Sequence, residues 1–193
     1  MGQSKALLTI RGRYLLHSIL NTTAARCDHC VVAAAPQQPL PPLPPGVSRV
    51  DDPHALLRSG PVVGLLQGLR QLQTLDVARA FLTSCDSARL DTDHIDFMFA
   101  QLDGPPREGA LPVDSDSGRG HPLNSAVLVD PAVRILDRMI RHGERRAQTL
   151  FTRLRGVSRV SVDTLPNPQV VEDINSPAAW ARWLAETAER KSR

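Results

Sequence analysis

Short runs of small and β-branched residues alternate along this chain with longer stretches whose apolar residues recur at helical intervals. CVVAAA (30–35) reads as a buried strand of the parallel kind, and VSRVDD (47–52) as a strand ending in two acids. GPVVGLLQGLRQL (60–72) then places Val63, Leu66, Leu69 and Leu72 on one helical face, with Pro61 suited to the first turn. The next apolar run, within VARAFLTSCDSARL (77–90), stops at Cys85-Asp86. Such alternation predicts an α/β fold of three layers, a sheet with helices on both faces. It also puts the Asp86 carboxylate at the carboxyl end of a strand, the edge at which open parallel sheets bind ligands.

The remaining segments fit the same plan. Leu7, Leu8 and Ile10 lead through a tight turn at Arg11-Gly12-Arg13 into a short helix carrying Leu15, Leu16, Ile19 and Leu20. PQQPLPPLPPG (36–46) is too rich in proline for helix or sheet and reads as an extended surface loop, a stiff spacer. A PxxP ligand for an SH3-type partner is its alternative reading. Residues 103–120 are loop-like around a short strand at Ala110–Val113, and HPLNSAVLV (121–129) reads as a strand. Helices are expected at 131–142 and 144–155, an edge strand in VSRVSVDTL (157–165), and a terminal helix from Ser176-Pro177 that buries Trp180, Trp183 and Leu184.

With 193 residues, 41% hydrophobic and 22% charged, residues 1–193 form a single domain large enough to bury one core. The net charge of +3 permits an anionic ligand, but aromatics are only 4% and no basic stripe is interleaved with them, which argues against nucleic acid. No stretch approaches the roughly 18 apolar residues that span a bilayer, and the opening residues do not read as a signal peptide; a cytoplasmic setting is expected. Three cysteines do not make a disulfide framework. Cys27 and Cys30 have C-x-x-C spacing, yet no second pair completes a zinc site, so a helix-to-strand turn is the simpler reading.

Specific residues narrow the field. Met1-Gly2-Gln3-Ser4-Lys5-Ala6-Leu7-Leu8, then Gly12, Gly60-Pro61 with Gly64 and Gly68, Cys85-Asp86, His121-Pro122-Leu123, Gly143-Glu144-Arg145-Arg146 and Asp173-Ile174-Asn175-Ser176-Pro177 follow one another in a familiar order. From residue 1 to about residue 184 the chain resembles the molybdenum cofactor guanylyltransferases, within the nucleotide-diphospho-sugar-type nucleotidyltransferase superfamily. The resemblance implies a Rossmann-like, mostly parallel sheet and transfer of GMP from GTP to molybdopterin with release of pyrophosphate. Members of that family begin with a buried strand and a Gly-rich turn that run directly into Met-Gly-x-x-Lys. This sequence opens inside that signature, so an N-terminally truncated domain is expected, lacking its first central strand and phosphate loop. A misassigned start at Met1 is the expected reason; a degenerate, non-catalytic paralogue that binds a partner in molybdoenzyme maturation is the alternative. A cytidylyl- or sugar-phosphate nucleotidyltransferase also stays open.

The resemblance also implies roles. Lys5 meets the nucleotide phosphates, and Asp86 holds Mg²⁺ against them, a hard cation suited to oxygen ligands; both count as catalytic. Asp52 and Gly60 complete the nucleotide site, though adjacent Asp51 leaves the acid's register open. Arg145, Arg146, Asn175 and His121 are the candidates for pterin or phosphate contacts. Two departures stand out: Cys85-Asp86-Ser87-Ala88 replaces the usual Cys-Asp-Thr-Pro, and Asp173 stands where the family carries an amide. On the residues alone, Lys5 reads first as an exposed helix-start lysine; Asp86 has the alternative of a turn cap, and Arg145-Arg146 reads equally as a solvated helix face.

Overall fold

The computed structural model describes residues 5–10, 12–53, 60–172 and 183. A 3-10 turn at Lys5–Leu7 leads through two paired two-residue strands, β1 (Thr9–Ile10) and β2 (Arg13–Tyr14), into helix α1 (Leu15–Ala24). The expected apolar stripe is the one that α1 buries: Leu15, Leu16, Ile19 and Leu20. β3 (Cys30–Ala34) and β4 (Val47–Asp51) pair in parallel, from Cys30 opposite Val47 to Ala34 opposite Asp51.

The proline-rich segment between them is an irregular loop with a function in packing. Leu40 and Leu43 lie against the cluster of Leu16, Leu20 and Cys30, and His17 Nε2 is 2.7 Å from the Pro42 carbonyl. Both of its leucines are therefore packed on the domain itself.

A second sheet contains β5 (Arg79–Thr83), β6 (Gly109–Val113), β7 (Asn124–Leu128) and β8 (Ser158–Ser161), in the order β5-β7-β6-β8. β7 runs antiparallel to both its neighbours, and β6 runs parallel to β8, which is the expected edge strand. Beside the short β1-β2 pair, the described strands thus form two separate sheets, β3-β4 and a mixed four-stranded one, where alternation alone suggests one continuous sheet.

Helices α2 (Pro61–Gln73), α3 (Thr92–Ala100), α4 (Val129–Arg141) and α5 (Gln148–Arg153) complete the layers. Successive strand residues point to opposite faces. Leu111 and Val127 join Leu66, Leu136 and Phe151 of α2, α4 and α5 in one core, whereas Ala110 and Ala126 join Met98 of α3 in a second core on the other face. Three layers follow directly.

Several boundaries differ from expectation. α3 was not foreseen; its start is fixed by Asp91, whose carboxylate accepts the His94 N–H at 2.8 Å, and Ile95 and Met98 face inward. The helix expected from residue 144 begins only at Gln148, because Gly143 takes a φ of 73° and closes α4. Arg145 and Arg146 consequently lie in a loop, not on a helix face. The strand expected from 121 starts at Asn124, after His121 has donated its backbone N–H to Pro112. The terminal helix from Ser176 lies outside the described residues apart from Trp183, which is buried.

Candidate active site

β5 ends at Thr83, and the next four residues form a tight turn in which Ser87 donates its backbone N–H to the Ser84 carbonyl at 3.2 Å. Asp86 stands in that turn with both carboxylate oxygens engaged. Lys5 Nζ donates to Oδ2 at 2.6 Å, and the Ser84 hydroxyl donates to Oδ1. Ser84 Oγ also lies 3.2 Å from the hydroxyl of Ser87, a buried residue. This serine network fixes the turn by local hydrogen bonds. Burial pushes the Asp86 carboxyl upward, but the hydrogen bonds from Lys5 and Ser84 and the lysine's charge outweigh it, so the group sits below its ordinary range. It is an ionised carboxylate at a strand end.

Asp52 follows β4 and donates its backbone N–H to the Ala34 carbonyl at 2.9 Å. Its carboxyl is held above the ordinary value by burial and then by the charge of Asp51, and its buried Oδ1 has no hydrogen-bond partner among the described residues. Asp51 is exposed and paired with Arg49 at 2.8 Å, whereas Asp52 is half-buried. Gly60 is the N-cap of α2 with a φ of 72°, and a Cβ there would stand 3.1 Å from the Arg145 carbonyl oxygen. The loop carrying Arg145 is therefore packed on the start of α2. Asp52, Gly60, Ser84 and Cys85 all line one cavity of about 580 Å³.

The other sequence candidates are distributed differently. Arg145 and Arg146 are exposed, with only Arg145 next to Gly60. His121 Nε2 is 2.6 Å from Asp114 Oδ1, a hydrogen-bond contact across the base of the 114–120 loop, so its ring is already engaged. Asn175 lies outside the described residues. Cys27, Cys30 and Cys85 are free thiols. Burial, followed by the charges of Cys30, Asp28 and Asp96, pushes the Cys27 thiol up to about 11, opposite to what a redox cysteine needs. Among the described residues no group of three or more His, Cys, Asp or Glu side chains is arranged to hold a metal ion.

Sequence reasoning missed two participants. Ser84 and Ser87 carry a local signal, a Ser-x-Asp-Ser pattern after a strand, that marks a side-chain-closed turn. The contact of Gly60 with Arg145 has no such signal, since it joins distant loops.

A lysine-paired carboxylate beyond a strand end, a half-buried acid and a glycine at a helix start thus sit on one layered α/β frame, and the class of protein, a nucleotidyltransferase, is given by its family. Residues 1–158 match the family model described as the MobA-like NTP transferase domain, and the chain belongs to that family. It is 31% identical over 181 residues to a probable molybdenum cofactor guanylyltransferase of Mycobacterium ulcerans, covering 92% of this chain and 86% of the relative. The probable molybdenum cofactor guanylyltransferase of Mycobacterium tuberculosis is 31% identical over 180 residues, covering 92% and 84%. Among solved structures, molybdopterin-guanine dinucleotide biosynthesis protein A from Archaeoglobus fulgidus superposes with a TM-score of 0.75 at 16% identity, over 97% of this chain and 92% of that one. The 2-C-methyl-D-erythritol 4-phosphate cytidylyltransferase from Thermus thermophilus does so with a TM-score of 0.69 at 14% identity, over 95% and 93%. These two share the fold. No helix among the described residues is long and apolar enough to cross a membrane.

Proposed function

We propose that this chain transfers GMP from GTP to molybdopterin and releases pyrophosphate. The observation that carries the reading is the Lys5–Asp86 pair beyond the carboxyl end of β5, in a chain whose curated relatives bear the guanylyltransferase name. A terminal phosphate oxygen of the pterin attacks the α-phosphorus of GTP; the bond from that phosphorus to the α–β bridging oxygen breaks, and its electrons leave with pyrophosphate. The attacking group is already an anionic oxygen, so no general base is required. The task is positioning and charge neutralisation.

Lys5 supplies a positive charge to the phosphates. Asp86 fits a Mg²⁺ ligand: it is ionised and oxygen-only, and Mg²⁺ is commonly held by one or two carboxylates together with substrate phosphates. When bound, Mg²⁺ would neutralise phosphate charge beside Asp86. Lys5 must then exchange its carboxylate partner for a phosphate oxygen. Asp52, with an unpartnered acceptor oxygen, and Gly60, at the positively polarised start of α2, contact the nucleotide. Arg145 is better placed than Arg146 to reach a phosphate near that helix start. Asn175 takes the pterin side. His121 contributes there only if Asp114 releases it.

The same reading puts the protein in the cytoplasm, where GTP is available, and hands its product to a molybdoenzyme or a cofactor-insertion protein. The test is a competition assay in which GTP and CTP, each labelled at the α-phosphate, are offered with molybdopterin or a sugar phosphate. Label from GTP on the pterin is the expected result. Label from CTP, or on the sugar phosphate, overturns the assignment in favour of the other nucleotidyltransferases.

A further inference from the structure

Beyond Asp86, Ala88 donates its backbone N–H to the Asp86 carbonyl at 2.8 Å and Leu90 donates to the Ser87 carbonyl at 3.1 Å, so residues 84–91 form one hydrogen-bonded series of turns. Its far end is pinned by a residue distant in sequence. Asn167 Nδ2 donates to the Arg89 carbonyl at 3.1 Å and to Asp91 Oδ2 at 2.8 Å, while Asn167 Oδ1 accepts the Gln169 N–H at 3.2 Å. Both amide hydrogens and the amide oxygen are in use, which fixes the orientation of the group. Asp91 Oδ1 meanwhile caps α3 through the His94 N–H.

The Arg89 side chain strengthens the same contact. Its Nη1 donates to Gln169 Oε1 at 3.3 Å, and its Nε lies 3.4 Å from Glu172 Oε2, with the arginine side chain only 11% exposed. Leu165 and Val170 of the same segment are buried with Met98 of α3, so the chain that carries Asn167 is itself anchored in a core. Glu172 stands three residues before Asn175 in sequence. The pin therefore joins the turn bearing Asp86, which serves the nucleotide in the proposed reaction, to the stretch of chain leading to the pterin-side candidate. When Lys5 leaves Asp86 for a phosphate oxygen, that turn gives up one tether, and the Asn167 bonds remain.

We propose that Asn167 is a positioning residue for nucleotidyl transfer: through Arg89 and Asp91 it holds the Asp86 turn against the segment that leads to Asn175, and so keeps donor and acceptor in line. The inference rests on the guanylyltransferase reading. Asn167 acts through these two loops, and its loss costs alignment of the reacting groups.

The test is single-turnover transfer from GTP labelled at the α-phosphate to molybdopterin, with the full chain and both substrates saturating. Asn167→Asp keeps the shape and the bond from Gln169 but turns a carboxylate towards the Arg89 carbonyl and the Asp91 carboxylate. Its rate constant should fall about tenfold. Adding Asp91→Asn supplies a donor opposite the new acceptor and retains a good cap for α3, so the double variant should recover to within about threefold of the native chain. A variant that is merely less stable loses amplitude, because fewer molecules are folded, and keeps its rate constant. Hydrogen exchange gives a readout without activity: the Ala88 and Leu90 amides should exchange about tenfold faster in Asn167→Asp and recover in the double variant, with the amides of α4 unaltered. An unchanged rate constant in Asn167→Asp, a loss that the double variant does not recover, or unchanged exchange at Ala88 and Leu90 overturns the proposal while native transfer leaves the activity standing. Absence of labelled pterin with the native chain overturns the guanylyltransferase reading and this inference with it.

Discussion

Lys5 Nζ lies 2.6 Å from Asp86 Oδ2, joining residues 81 positions apart just beyond the end of β5. Their side chains are 32% and 17% exposed, so the pair is partly shielded and worth more than a surface ion pair. A double-mutant cycle with Lys5→Met and Asp86→Asn should give a coupling free energy of about 1–2 kcal/mol in urea unfolding. A coupling near zero would mean that the pair contributes nothing to the folded state.

Asp52 should be a residue kept at the expense of stability. Its carboxyl titrates above the ordinary carboxylate range because of burial and Asp51, so the unfolded chain ionises first as pH rises, and the folded state loses stability through that window and remains penalised at neutral pH. Asp52→Asn should therefore raise unfolding free energy at pH 7, by about 1 kcal/mol, while lowering nucleotidyl transfer. Chemical denaturation at pH 7 checks the sign; a destabilised variant would contradict the account.

His94 gives the opposite pH signature. It is buried, its Nε2 is 3.1 Å from the Asn124 carbonyl, and burial lowers its pKa from 6.5 against weaker upward pulls from that carbonyl and Asp91. The unfolded chain takes up the proton first, so stability falls as pH drops below about 6.5 and continues falling to the depressed folded value. Unfolding free energies at pH 7.5 and 5.5 should differ for the native chain, and the difference should shrink in His94→Gln. An unchanged difference in the variant would place the acid sensitivity elsewhere.

Gly60 couples the start of α2 to the Arg145 loop. Gly60→Ala places a Cβ 3.1 Å from the Arg145 carbonyl at a φ of 72°, so it should destabilise by about 1–2 kcal/mol and depress transfer by disturbing both elements together. Thermal unfolding with a parallel transfer assay checks both; a variant as stable and active as the native chain would mean that the contact is incidental.

How much of this was legible in the sequence depends on the range of the interaction involved. The inward stripes of α2 and α4 were readable because Val63, Leu66, Leu69, Val133 and Leu136 recur at helical intervals and are buried there. The helix predicted over 144–155 is shortened because Gly143 ends α4 in a conformation that hydrophobic spacing does not encode. α3 was missed although its Asp91 cap was visible, since Thr92–Ala100 carries only a weak apolar face. At the site, the roles of Lys5 and Asp86 came from resemblance, and their contact depends on bringing the first described turn to the end of β5. The pairing of His121 with Asp114, and of Gly60 with Arg145, arises from loop closure in three dimensions. Local pattern has no access to either.

The most direct measurement is single-turnover transfer of label from GTP labelled at the α-phosphate to molybdopterin, with Mg²⁺, comparing the native chain with Asp86→Asn. The account predicts labelled pterin dinucleotide and pyrophosphate in equal amounts from the native chain, and a rate lower on the order of 10²–10³-fold in the variant. Native-like transfer by Asp86→Asn, or no labelled pterin from the native chain, would contradict it.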